Sequence, residues 1–201
     1  MAGMERSKLY SFDDFCSLVG DGEKADLIDG VIYMASPDNT DANALFVWLL
    51  RLLGDYIDLK KLGKLYGSRV AFRLGEGHAP EPDIAFVRRN RLHLVRRGFV
   101  NGPPDLAIEI VSPESLDRDY TEKRQQYREG GVLEYWIIDE IVQKVSWLRL
   151  TSNGSYREVK PRDGALHSQV LPGFWLRPEW LWQVPLPSKA EVLAHIVESA
   201  E

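Results

Sequence analysis

The chain has 201 residues, of which 44% are hydrophobic and 27% charged, and its formal net charge is −5. That length suits one sizeable core in a single domain (1–201), and the composition is that of an ordinary globular protein, which excludes a disordered chain. The acidic balance argues against a general nucleic-acid coating protein but leaves room for a local basic groove, because steering depends on where charges sit. The single cysteine, Cys16, excludes an intramolecular disulfide and a cysteine-based zinc cage. No apolar run reaches the roughly 18 residues of a membrane span. The first residues carry Glu5, Arg6 and Lys8 without an apolar signal core, so a cytoplasmic protein with no membrane partner is expected.

Ser11 to Val19 reads as a short helix, with Ser11 as cap and Asp13 and Asp14 in the first turn, where the helix dipole favours acids. Ala25 to Ala35 reads as a tight hairpin around Asp29-Gly30. Ser36-Pro37-Asp38 breaks the chain and starts a long helix to about Leu59, whose apolar residues from Leu45 to Ile57 recur at helical spacing. Gly63 to Leu74 gives one or two strands. The Gly75-Glu76-Gly77 turn after them lacks the third glycine and following helix of a dinucleotide loop.

Asp83 opens another strand, to Val87, and residues 88–97 then hold five arginines. Leu106 to Val111 reads as a central strand, apolar on both faces. Glu109 lies within it, and a carboxylate there must shift its pKa, find a cation or coordinate a metal. A helix follows from about Leu116 to Glu129, stopped by Gly130-Gly131. Glu134 to Ile138, Val142 to Leu150 and Tyr156 to Val159 form a meander. The tail from Leu171 to Trp182 is expected as loop with aromatic packing, and Lys189 to Val197 as a terminal helix. The mixture indicates an α/β domain with a partly antiparallel sheet.

Tyr120, Lys123 and Tyr127 fall at i, i+3 and i+7, so they share a helix face. The tyrosines mark it as the packed face, so Lys123 points inward and wants a carboxylate, with Glu109 and Asp83 the obvious partners. Two strand-borne acids and an inward lysine suit metal-assisted phosphodiester hydrolysis, in which Mg²⁺ lowers the pKa of an attacking water and steadies phosphoryl charge. The lysine orients the water or screens the developing charge. On spacing alone, a buried Lys–Asp–Glu salt bridge without metal fits equally well.

The segments Glu81-Pro82-Asp83-Ile84-Ala85-Phe86-Val87 and Pro104 to Pro113, containing Glu109, resemble the two acidic motifs of the PD-(D/E)XK nuclease superfamily. Asp119 to Lys123, Tyr127 and Gly130 to Asp139 are similar to one branch, the bacterial "putative restriction endonuclease" or Uma-two family. Asp26 to Val31 matches its N-terminal hairpin, and Val170 to Phe174 its C-terminal signature; the resemblance spans about residues 11–180.

The resemblance implies a restriction-endonuclease-like core, a mixed β-sheet flanked by helices, here with an added antiparallel meander. It implies Asp83 and Glu109 as ligands of Mg²⁺ or Mn²⁺, with the Ile110 carbonyl as a third candidate. The wider superfamily has a lysine two residues after the second acid, where this chain has Val111; the resemblance to this branch implies that Lys123, on the following helix, takes that role. Asp26 supports the site where the family usually carries a glutamate. The implied activity is an endonuclease hydrolysing DNA by in-line attack to leave a 5′-phosphate, working as a homodimer because duplex cleavage wants two sites.

Arg88, Arg89 and Arg91 are candidates to grip phosphates beside the site, or else form a solvated face. Ser112 is read as orienting the loop after its strand, since no Gly-x-Ser-x-Gly elbow surrounds it. The four histidines lack metal-ligand spacing. The competing reading is a catalytically silent nucleic-acid-binding or assembly module that keeps the acid–lysine cluster as a salt bridge.

Overall fold

A computed structural model describes residues 8–20, 22–36 and 39–199. Ser11 caps α1 (Phe12–Leu18) through a reciprocal pair: its hydroxyl accepts from the Asp14 N–H, and its own N–H donates to the Asp14 carboxylate. The expected hairpin forms between β1 (Ala25–Ile28) and β2 (Val31–Met34). Both turn residues, Asp29 and Gly30, have positive φ, as a two-residue hairpin turn requires. A Cβ on Gly30 would lie 2.9 Å from the Leu9 Cβ, so only glycine fits there.

The long helix α2 (Thr40–Lys60) is capped by Asn39, whose side-chain oxygen accepts from the Asp41 and Ala42 N–H groups, and ends at Lys61 in a left-handed conformation. Pro37 and Asp38, expected at the break before this helix, lie outside the described residues. After it come β3 (Gly63–Tyr66), β4 (Ala71–Phe72) and β5 (Ile84–Arg88). A 3-10 helix (Arg89–Leu94) and β6 (Phe99–Val100), paired parallel to β4, lead to β7 (Leu106–Ile110).

The helix after β7 begins with a π-helical turn (Arg118–Glu122) and continues as α3 (Lys123–Gly130). The meander is β8 (Glu134–Asp139), β9 (Lys144–Leu150) and β10 (Tyr156–Glu158). The tail is less irregular than its sequence suggests. β11 (Leu166–His167) pairs with β12 (Trp175–Leu176), a 3-10 helix spans Pro178–Trp182, and α4 (Lys189–Glu198) follows.

Six strands make the main sheet, in the order β10-β9-β8-β7-β5-β3. Only β7 and β8 run parallel, joined through α3; the other pairs are antiparallel. Alternation along the strands sorts the two faces. Ile84, Phe86, Leu106, Ile108, Trp136 and Ile138 pack against α2, α4 and the tail. Ala107, Tyr135 and Ile137 pack against Tyr127 of α3 on the other face. Because Glu109 follows the Ala107 side of β7, its carboxylate points toward α3 rather than into the larger core.

The β1–β2 hairpin docks on the approach to β5: Leu27 and Ala79 exchange both backbone hydrogen bonds, and Gly30 N–H donates to Gly77 C=O. This contact carries Asp26 toward the start of β5. Among the described residues, no helix is long and apolar enough to cross a membrane.

Candidate active site

Antiparallel register places the two expected acids together. Ile84 pairs with Ile108, and continuing by one residue sets Asp83 opposite Glu109. Side chains directly opposite one another share a face. One Asp83 oxygen accepts from the Ile110 N–H at 2.7 Å, and the other is ion-paired to Lys24.

Lys123 enters from α3. Its Nζ lies 3.0 Å from Glu109 Oε1, 3.0 Å from Asp26 Oδ2 and 3.6 Å from Asp119 Oδ1. The Tyr127 hydroxyl donates to the same Glu109 oxygen at 2.7 Å. Lys123 and Tyr127 are four residues apart on regular α-helix, which puts both over Glu109. Tyr120 does not join them. A π-helical turn precedes Lys123, and the Tyr120 ring packs against the same cluster as Tyr127 while its hydroxyl donates to Asp139 instead of Glu109.

Asp26, Asp83, Glu109 and Lys123 all line one cavity of about 80 Å³. A single water needs only roughly 10–15 Å³ on this measure, so there is room for an ion and several waters. The four expected residues are therefore neither scattered nor sealed in a dry core.

Three further groups belong to the cluster. Lys24 holds Asp83; Glu81 accepts from the Ala25 N–H while its own N–H donates to Asp26; and Asp119 accepts from the Ser115 hydroxyl at 2.6 Å. Lys24 and Asp26 sit at i and i+2 at the start of a strand, a spacing that puts both on one face and was readable in the sequence. Asp119 entered the sequence reading within the family-like segment Asp119 to Lys123, with no role at the site assigned to it. Its i, i+4 relation to Lys123 held the missing signal.

Five carboxyl groups (Asp26, Glu81, Asp83, Glu109 and Asp119) thus stand against the three cations Lys24, Arg118 and Lys123, the Arg118 Nε lying 3.9 Å from Asp26. Fully ionised, the cluster is two positive charges short. Burial pushes the Glu109 carboxyl up to about 8 against the opposing pull of Lys123, and Glu81 up to about 7. Burial also raises Asp119. Burial disfavours the charged form of Lys123, but the surrounding carboxylates outweigh it and hold the amine protonated well above its ordinary range.

The cluster fits a divalent cation in charge and donor type. The carboxylates are hard oxygen donors, and Asp119 Oδ1 is buried without a hydrogen-bond partner. Among the described residues, no three His, Cys, Asp or Glu side chains converge as a ready-made metal cage. Asp83 and Glu109 are the two carboxylates from facing strands that could hold such an ion, and Mg²⁺ keeps several of its waters when it binds few protein oxygens.

The structure does not bring Arg88, Arg89 and Arg91 to this cavity. Arg88 ends β5 and the other two follow it, at the end opposite Asp83, and five strand residues span roughly 16 Å. Arg91 lies 3.0 Å from the buried Asp105 carboxylate and Arg88 3.7 Å from it, while Arg89 is exposed. Two of the three thus neutralise a buried carboxylate beside β7. Ser112 and Ser115 bond each other in the loop after β7, in keeping with an orienting role.

A comparison with curated proteins finds no match. Among solved structures, the chain is similar to a protein from Anabaena variabilis ATCC 29413 described as a putative nuclease belonging to DUF820. The identity is 18% and the TM-score 0.71, over 86% of this chain and 97% of that one, which shows a shared restriction-endonuclease-like fold. The family model described as "Uma2: Putative restriction endonuclease" matches residues 10–179, nearly the whole of the described core, and the chain belongs to that family.

Proposed function

We propose that the protein is a divalent-metal-dependent endonuclease that hydrolyses DNA phosphodiester bonds. The observation that carries this reading is the convergence of Asp83, Glu109, Asp26 and Lys123 on one cavity with room for an ion and several waters. Family membership points the same way.

Asp83 and Glu109 would hold Mg²⁺ or Mn²⁺, together with the Ile110 carbonyl. Once bound, the ion supplies Lewis acidity toward the phosphoryl oxygens and a lowered pKa for a neighbouring water. Lys123 stays protonated, so it donates hydrogen bonds and screens charge on the phosphoryl group and does not serve as a base. Asp26 and Glu109 fix the amine from two sides. Tyr127 fixes the rotamer of Glu109. The Ile110 N–H fixes Asp83. Hydrolysis of duplex DNA on both strands calls for two such sites, so a homodimer belongs to the proposal.

The test is an assay of duplex, single-stranded and branched DNA with Mg²⁺ or Mn²⁺, with Asp83→Asn as control. Cleavage by the wild type alone supports the reading. Cleavage by both proteins, or by neither with any of the ions, removes it.

A further inference from the structure

The cavity between Asp83 and Glu109 opens beside two hollows that also border each other at Ser36 and Ser68, and a third lies beyond. One, of about 270 Å³, shares Ser36, Asp83, Ile110 and Ser112 with it and extends to Phe46 on α2. A second, of about 340 Å³, shares Lys24, Met34 and Ala35 with the cavity and reaches Arg69. The third, of about 550 Å³, shares Glu23 and Arg69 with the second and ends at Arg96 and Arg97.

The two ends differ in chemistry. No cationic side chain among the described residues lines the Phe46 hollow, whose polar groups are Asn39, three serines and the acids Asp83 and Glu114. Such a wall repels phosphate and suits a neutral planar ring that carries N–H donors. Its volume lies at the small end of the roughly 300–1,000 Å³ typical of ligand pockets. The far end carries three arginines, beside the acids Glu23 and Glu81. Arg69, Arg96 and Arg97 are all exposed there. Arg69 stands at φ 71°, a left-handed backbone that disfavours a side chain of this size. Arg96 is anchored by its guanidinium to the His93 carbonyl, and the neighbouring Arg97 extends the patch.

The acids lie deep: Asp26 is 4% and Glu109 2% exposed. An extended single strand can bring a phosphate down to them more easily than a stiff duplex. Unpaired bases also stack on aromatic side chains, and a positive groove tracks the backbone, as in single-strand binding proteins.

Building on the nuclease reading above, we propose that this run of hollows is the track of an unpaired nucleic-acid strand. Arg69 and Arg97 hold its phosphates, and the nucleotide beside the scissile bond puts its base in the Phe46 hollow. The substrate class is thereby a single strand, or a duplex locally opened at the site of cleavage.

Binding without cleavage tests the proposal. A fluorescently labelled single-stranded oligonucleotide and the matching duplex are titrated with metal-free wild-type protein in EDTA, by anisotropy, over a series of salt concentrations. The strand should bind at least tenfold more tightly than the duplex. The double variant Arg69→Asn/Arg97→Ala, in which asparagine tolerates the left-handed backbone, should lose about tenfold. Its salt slope should fall by about 1.4, because each lost phosphate contact on a single strand removes ~0.7. Phe46→Leu should weaken strand binding with the slope unchanged, and Arg89→Ala, off the track, should change neither. If the double variant does not fold, Arg97→Glu carries the test. Equal affinity for duplex and strand, or an unchanged slope in the arginine variants, overturns the proposal. The expected binding pattern in a protein that cleaves nothing would support the track and sink the nuclease reading. Cleavage with no arginine effect would do the reverse.

Discussion

The Lys123 amine lies 3.0 Å from the Glu109 carboxylate, and both side chains are almost wholly excluded from solvent. The pair comes from α3 and the central strand β7, and Asp26 and Asp119 complete the amine's surroundings. Lys123→Met should therefore leave several buried carboxyls without their cation. Breaking a buried pair from one side costs about 3–5 kcal/mol, reduced here to the extent that the carboxyls take up protons. Denaturant unfolding at neutral pH measures this. The same variant should lose more turnover than metal affinity, because Lys123 is placed to assist and not to ligate. Calorimetric titration with Mn²⁺ checks that division, and a large loss of metal affinity would mean that the lysine has another role.

The Tyr127 hydroxyl is the second donor to the same Glu109 oxygen. Tyr127→Phe keeps the ring packing against Tyr135, whose centroid is 4.8 Å away, and deletes only the hydrogen bond. The expected cost is about 0.5–1.5 kcal/mol, the net worth of one hydrogen bond, because Lys123 still donates to the same oxygen. Turnover should fall while the fold, read by near-ultraviolet circular dichroism, is unchanged.

Burial raises the Glu81 carboxyl to about 7, above the ordinary carboxylate range. Between its unfolded and folded pKa values, the folded state then binds more protons than the unfolded one. Stability contributed by this group must therefore fall as pH rises from about 4.5 to about 7. The metal-free protein should lose stability over that window. Glu81→Gln, which can still accept from the Ala25 N–H, should flatten the profile and be the more stable protein at pH 8. Unfolding curves at pH 5 and pH 8 test this, and an equal slope in both proteins would contradict it.

Much of the arrangement was legible in the chain because local rules fix it. Asp29-Gly30 specifies a hairpin, and alternation along Leu106–Ile110 puts Glu109 opposite the larger core. Helical spacing aims Lys123 inward. The illegible parts depend on distant or irregular contacts. Lys24 meets Asp83 across 59 residues of sequence. Tyr120 keeps the packed face that periodicity assigns it, but its hydroxyl goes to Asp139, a partner distant in sequence. The arginines after β5 look like a phosphate grip because their density is visible in the sequence, whereas the buried partner of Arg88 and Arg91, Asp105, is not. The short pair β11 and β12 escaped notice because two-residue strands leave almost no periodic signal.

Crystals soaked in Mn²⁺ and measured for anomalous scattering test the central claim most directly. An ion held between the Asp83 and Glu109 carboxylates, beside the Ile110 carbonyl and within reach of Lys123, is the predicted result, and it should vanish in Asp83→Asn. Manganese bound elsewhere, or no ordered ion between those two acids in wild-type crystals, would contradict it.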